Sequence, residues 1–450
     1  MTRRVPSDTT DASPLGKPLH FEFSGKTAPN RFLKAAMTER LSSWDAQNLE
    51  KRGIPSKELQ NVYKRWGEGG IGHILTGNIM IAYDQLEAAG NPIIPLEAKF
   101  EGPRFEAFKE LATLAKAHGS LITGQVSHPG RQCENRIQKD PVSASDVQLE
   151  GEIMGMKFNK PHAASKDEIK DIINRFTHAA VFLHKAGYDG IQLHGAHGYL
   201  LAQFLAQTTN KRTDEYGGSL ENRARITLEI AESIRKELPA ASTGFMIGIK
   251  INSAEFQKGG FTADEAKELC HLLENAGFDF VELSGGTYQS LAFHHEREST
   301  RKREAFFLEF ADKIVPGLTK TRTYITGGFL TVDGMSNALK TVDGVGLARP
   351  LCQEPRLAKT LLDGKASGAI DQQVDRDNFG LTNVIAGSQI RQIGRDQEPI
   401  DMSVKDNVDA FMKDMGVWGQ RMAEDATKMN MYGYVDIESV RSDAYGTAQA

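Results

Sequence analysis

His194, His197 and Tyr199 stand within six residues of one another, directly after the apolar run Ile191–Leu193. Two imidazoles and a phenol can hold an oxyanion, pass a proton or ligate a metal. A buried strand ending just before them aims all three at one point beyond a sheet edge. A His-x-x-His pair also fits half of a metal site. The zinc pattern His-Glu-x-x-His is absent, however, and the next acidic residues, Asp214 and Glu215, lie in another segment. The remaining alternative is a hydrogen-bonded structural pair, which the spacers Gly195 and Gly198 disfavour because they read as open loop rather than packed core.

Whatever these groups do, a scaffold has to place them. Short apolar runs recur before polar or glycine-rich segments at Arg31–Ala36, His73–Met80, Leu121–Ser127, Gly190–His194, Met246–Asn252, Phe280–Ser284, Thr323–Thr326 and Gly344–Leu347, predicting eight strands. Helical periodicity separates them. Ser165 with Glu168, and Thr262 with Glu265, form capping boxes; from the first, Ile169, Ile173, Phe176, Ala180 and Leu183 line one face. Both helices end alike, as Ala186-Gly187-Tyr188-Asp189 and Ala276-Gly277-Phe278-Asp279, with glycine as the left-handed cap before the next strand. Strict alternation with near-continuous apolar strands implies a parallel sheet covered by helices, and eight such units favour a closed (β/α)8 TIM barrel over an open sheet. No GxGxxG follows the first strand, which argues against a Rossmann domain.

The longest insertion, His128 to Ala164 after the third strand, reads as a lid that builds most of a substrate pocket. Beyond residue 365 the rhythm stops. One element is evident there, a C-terminal helix whose stripe is Val404, Val408, Phe411, Met412, Met415, Trp418 and Met422. That stripe fits packing on its own barrel as well as it fits a homo-oligomer contact. The expected division is a flexible arm at 1–19, a barrel at 20–364 and a helical extension at 365–450.

The 450 residues would suit about three average domains, but a barrel of this class can exceed about 250 residues as one unit. The net charge of −5 and the scattered Lys and Arg predict neither a nucleic-acid nor a membrane partner, leaving a small molecule as substrate. Cys133, Cys270 and Cys352 are far apart, so neither a CxxC site nor a disulfide framework is expected; together with the lack of an apolar signal segment this fits a cytoplasmic protein. At the C-terminal ends of the last two strands, Gly327-Gly328 and Ala348-Arg349 offer backbone N–H groups and a guanidinium to a phosphate.

The block from Asp189 to Arg225, above all NKRTDEYGGSLENRAR at Asn210–Arg225, closely resembles the signature of the old yellow enzyme family of flavin-dependent ene-reductases. The resemblance spans roughly residues 20 to 360. It implies FMN as cofactor, NADH or NADPH as electron donor, and an electron-poor alkene as acceptor. On the matching segments, Ala36, Met37 and Thr38 in NRFLKAAMTER would lie against the flavin ring, with Ala36 where the family has proline. Asn78 would contribute its backbone, Gln125 its amide to the pyrimidine edge, and Lys250 a positive charge where the family more often has arginine. Gly327, Gly328, Ala348 and Arg349 would hold the phosphate. His194 and His197 would bind the acceptor oxygen, His194 also touching the cofactor, and Tyr199 would supply the proton. A lysine among Ile247, Ile249 and Ile251 needs a buried partner that the sequence does not name. The tight cysteine run that holds an iron–sulfur cluster in family members of the dienoyl-CoA reductase type is absent, so electrons would come directly from the nicotinamide. Demethylase or isomerase chemistry at the same flavin, or flavin binding without turnover, remain alternatives.

Overall fold

The structure, a computed structural model, describes residues 3–153, 155–252, 260–284 and 308–447. Its centre is a ring of eight parallel strands: β1 (Phe32–Lys34), β2 (His73–Leu75), β3 (Leu121–Ser127), β4 (Gly190–Gly195), β5 (Met246–Asn252), β6 (Phe280–Ser284), β7 (Arg322–Thr326) and β8 (Gly344–Leu347). Each pairs with the next, and β8 pairs with β1, closing a (β/α)8 barrel. The register sets Gln192 of β4 beside Gln125 of β3, His194 of β4 beside Lys250 of β5, and Lys250 beside Glu282 of β6.

The outer layer follows from the caps and stripes. Both capping boxes are present, at the starts of Lys166–Lys185 and Ala263–Asn275, and the first helix buries Ile169, Phe176, Ala180 and Leu183 against the sheet. In the repeated Ala-Gly-aromatic-Asp ends, Gly187 and Gly277 take φ of 89° and 79°. The aspartates that follow tie the barrel's lower rim together. Asp189 accepts from the Ile122 N–H and pairs with Lys116, and Asp279 accepts from the Ile247 N–H and pairs with Arg235. Below them a hairpin, Leu19–His20 with Thr27–Ala28, plugs the barrel. Its Phe21 meets His73 and Phe280 edge-on at 5.9 and 6.1 Å, closing this end with apolar rings and leaving the other end for chemistry.

Three expectations change. The second strand breaks after Leu75 and resumes as Ile79–Met80, because the Thr76 hydroxyl accepts from the Gln125 N–H and Gly77 lies where a Cβ would be 2.2 Å from the Met37 carbonyl. The N-terminal arm is docked, not flexible. Val5 donates to the Ala369 carbonyl, Arg4 pairs with Glu354, and Leu15 is fully buried; average composition hid these few anchoring residues. The tail contains a second long helix, Phe379–Gly394, before the expected one at Lys405–Glu424. It has no clean stripe, because its glycines mark close approaches rather than a solvent face. A Cβ on Gly387 would be 2.2 Å from the Tyr434 ring, and one on Gly394 would be 3.0 Å from the Glu58 carbonyl. In the later helix Val408 and Phe411 are buried while Met412 stays exposed, so part of the stripe packs on the protein's own tail.

Candidate active site

The upper ends of the strands open into one cavity of about 690 Å³. Every residue singled out from the sequence lines it: Ala36, Met37, Thr38, Asn78, Gln125, His194, His197, Tyr199, Lys250, Gly327, Gly328, Ala348 and Arg349. Residues scattered over more than 300 positions of sequence are thus brought to one wall by barrel closure.

His194 ends β4 and the loop turns sharply after it. His197 has φ of +57°, in the left-handed region that costs a non-glycine residue energy, and its N–H is held by the Asn252 side chain at 3.1 Å. The turn brings the rings of His194 and His197 to 5.3 Å and sets Tyr199 edge-on to His194 at 4.6 Å. Burial, reinforced by the Lys250 charge, pushes the His194 imidazole down to about 3 and holds His197 well below its ordinary value. Both rings are therefore neutral at physiological pH. His197 Nε2 shares a hydrogen bond with the Ser284 hydroxyl at 3.0 Å, and buried His194 Nδ1 has no partner among the described residues. The base of the lid insertion is fastened to this turn through Gln132, which donates to the His197 carbonyl, and Gln203, which donates to the Pro129 and Gly198 carbonyls.

The missing partner of Lys250 is Glu282, at 3.0 Å. Two residues before the β4 histidine, Gln192 donates to the other Glu282 oxygen at 2.8 Å and accepts from the Gln125 amide at 2.7 Å. Thr38 gives its one proton to Glu87 at 3.1 Å, so toward the cavity its hydroxyl can only accept. Asn78 uses its side chain, not only its backbone, donating to Thr38 at 3.4 Å, while its carbonyl oxygen is buried without a partner among the described residues.

Sequence reasoning missed Glu282 and Gln192, whose alternation into the barrel interior was the available signal, and it missed the tail's share of the cavity. Phe379, Trp418, Met422, Met431, Tyr432 and Tyr434 line it, outnumbering the insertion's Glu134, Arg136, Gly155 and Met156. The expectation that the lid builds most of the pocket is thereby corrected. The Tyr434 hydroxyl donates to the Thr38 carbonyl at 3.2 Å, and Arg349 donates to Thr382 of the first tail helix.

The sequence matches the model of the NADH:flavin oxidoreductase / NADH oxidase family over residues 14–367. The chain belongs to this family. It is 52% identical over 420 residues to the NADH-dependent flavin oxidoreductase nadA of Aspergillus parasiticus, covering 93% of this chain and 94% of that one. A shorter stretch of 147 residues, 32% of this chain and 39% of the other, is 40% identical to 12-oxophytodienoate reductase 1 of rice. Among solved structures, morphinone reductase superposes with a TM-score of 0.63 at 23% identity, over 79% of this chain and 91% of that one, a likeness of fold. As a member of the NADH:flavin oxidoreductase family the protein is an enzyme that uses FMN and NAD(P)H. The cavity fits the cofactor. Its orphaned polar atoms on Asn78 and His194 offer an amide and an imidazole. Gly327 and Gly328, with φ of 157° and 75°, leave a side-chain-free loop for an anion. Among the described residues no helix is long and apolar enough to cross a membrane.

Proposed function

We propose that this oxidoreductase reduces the C=C bond of an electron-poor alkene, such as an enone, enal or nitroalkene. The carrying observation is the cluster of two neutral imidazoles and a phenol on one cavity wall, with His194 between His197 and Tyr199. When bound, FMN would supply the redox chemistry, hydride transfer from NAD(P)H to the β-carbon of the acceptor. Lys250, Gln125, Asn78 and Thr38 would hold its ring, and Gly327, Gly328, Ala348 and Arg349 its phosphate. His194 and His197 then hold the acceptor's carbonyl or nitro oxygen, where negative charge collects. As neutral rings each has one N–H to give, and removal of one such donor typically costs about 3–4 kcal/mol of barrier. Tyr199 gives its hydroxyl proton to the α-carbon, completing the addition of H− and H+ across the double bond.

The tail and the insertion meet over this wall, where Arg136 donates to the Ala426 carbonyl at 2.9 Å. We read residues 20–364 as the catalytic barrel and the extension beyond as the outer wall of the acceptor site. Trp418, Met422 and Met431 give that wall an adaptable aromatic and thioether surface suited to a flat unsaturated ring. The rice relative, named as a reductase of an oxo-dienoate, favours this over the alternatives. The test is anaerobic. Enzyme reduced by NADH is mixed with cyclohexenone, and reoxidation with formation of cyclohexanone is expected; a flavin that stays reduced would exclude ene-reduction of this acceptor class.

A further inference from the structure

Glu282 is fully buried and does not line the cavity, yet it bonds directly to two residues that do, Lys250 and Thr326. One oxygen, Oε1, lies 3.0 Å from Lys250 Nζ and accepts from the Thr326 hydroxyl at 2.6 Å. The other, Oε2, accepts from Gln192 Nε2 at 2.8 Å, and Gln192 Oε1 accepts from Gln125 Nε2 at 2.7 Å. Five consecutive strands, β3 to β7, each contribute one member of this chain. Three members, Gln125, Lys250 and Thr326, face the cavity.

We propose that Glu282 is the positioning residue of the FMN site, setting both the orientation of the Gln125 amide and the electrostatic field of Lys250. The orientation follows from hydrogen-bond polarity. A carboxylate only accepts, so Gln192 must turn its NH2 toward Glu282 and its carbonyl toward Gln125. Gln125 must then spend one N–H inward and present its carbonyl and remaining N–H to the cavity. An amide pair alone could flip; the carboxylate makes one arrangement the stable one. The field follows from charge. With Glu282 present, a buried cation facing the cavity is compensated from behind, and without it the Lys250 charge would act on the cofactor unopposed. The proposal needs FMN in the cavity but is independent of which acceptor is reduced.

The experiment measures the midpoint potential of bound flavin in holoenzyme carrying Glu282→Gln, which keeps shape and removes charge. The potential should shift positive, because an uncompensated cation stabilises the reduced, more negative cofactor. In the double variant Lys250→Met/Glu282→Gln, with no buried charge left unpaired, it should fall below the wild-type value, because the lysine that lines the cavity is lost together with a counter-ion that stands behind it. A residue that merely packs the barrel would lower the melting temperature and leave the potential unmoved, and that result would overturn the proposal. If the single variant does not fold, the double variant decides alone: a wild-type potential counts against the field. Gln192→Leu tests the other arm by cutting the relay while leaving the ion pair. Its apoprotein should bind FMN about tenfold more weakly, as for loss of one ordered hydrogen bond, and unchanged affinity would remove Glu282 from the orientation of Gln125.

Discussion

Tyr199 packs edge-on against a neutral imidazole in a closed wall, a setting in which its hydroxyl can be removed without disturbing the ring. Tyr199→Phe should therefore leave reduction by NADH nearly unchanged and slow oxidation by an enone by about 10²–10⁴-fold, the range of general acid catalysis. Stopped-flow measurement of each half-reaction separates the two, and an unaltered oxidative rate would pass the proton role to water or another group. Arg349 carries a second residue-scale prediction. Its guanidinium donates to Thr382 and stands 5.9 Å over the Phe379 ring, so the loop proposed to hold the phosphate and the tail share one side chain. Arg349→Ala should weaken FMN retention on dialysis, by roughly the 1.5–3 kcal/mol of a charge-assisted hydrogen bond. It should also make the first tail helix more susceptible to proteolysis; full retention of both cofactor and protection would count against the phosphate role.

Among the elements, the tail is the one whose place was least expected. Its later helix is held by its own small core of Val408, Phe411 and Met402, and by Asp414, which accepts from the Glu438 and Ser439 N–H groups. The irregular stretch after it crosses Trp44, whose indole donates to the Met429 carbonyl at 2.7 Å, before reaching Thr38 through Tyr434. Trp418 is thus fixed from behind while its face lines the cavity. Trp418→Ala should lower kcat/KM for a bulky ring enone about tenfold, consistent with roughly 1.5 kcal/mol of apolar contact. Reduction by NADH should not change. Equal kcat/KM for wild type and variant across acceptors of increasing size would show that the tail does not touch the substrate.

Over the whole molecule, burial of histidine makes stability depend on pH. Desolvation lowers His73 to about 4, and His128 and His194 to about 3, from an ordinary value of 6.5. Below pH 6.5 the unfolded chain takes up protons at these positions that the folded protein refuses. No penalty exists above that pH, and below it each imidazole destabilises the fold by about 1.4 kcal/mol per unit until its own folded value is reached. The urea midpoint should accordingly fall steeply between neutral pH and about pH 5. His73→Gln, which removes the ring sandwiched between Phe280 and Tyr324, should flatten that slope even if it lowers the midpoint at neutral pH. A midpoint constant over this range would mean that the rings are solvated.

The eight strand runs, the two capping boxes and the glycine-terminated helices were legible because each depends on near neighbours: period, cap and turn chemistry act over a few residues. The cluster His194, His197 and Tyr199 was legible for the same reason, since one strand end presents all three. Gln125 and Lys250 could be named from resemblance and the glycine loops from their place after the last two strands, but their meeting in one cavity is a product of barrel closure. Glu282 illustrates the limit. In sequence it is an acid inside an apolar strand, and only the β5–β6 register, which lays it beside Lys250, turns it into that lysine's counter-ion. The docked arm and the tail's wall were decided at the same level. Val5 and Leu15 find partners hundreds of residues away, and the helix at Phe379–Gly394 is shaped by close backbone approaches instead of an apolar stripe. Local order is encoded where the chain interacts with itself nearby; which distant surfaces meet is settled only when the whole core packs.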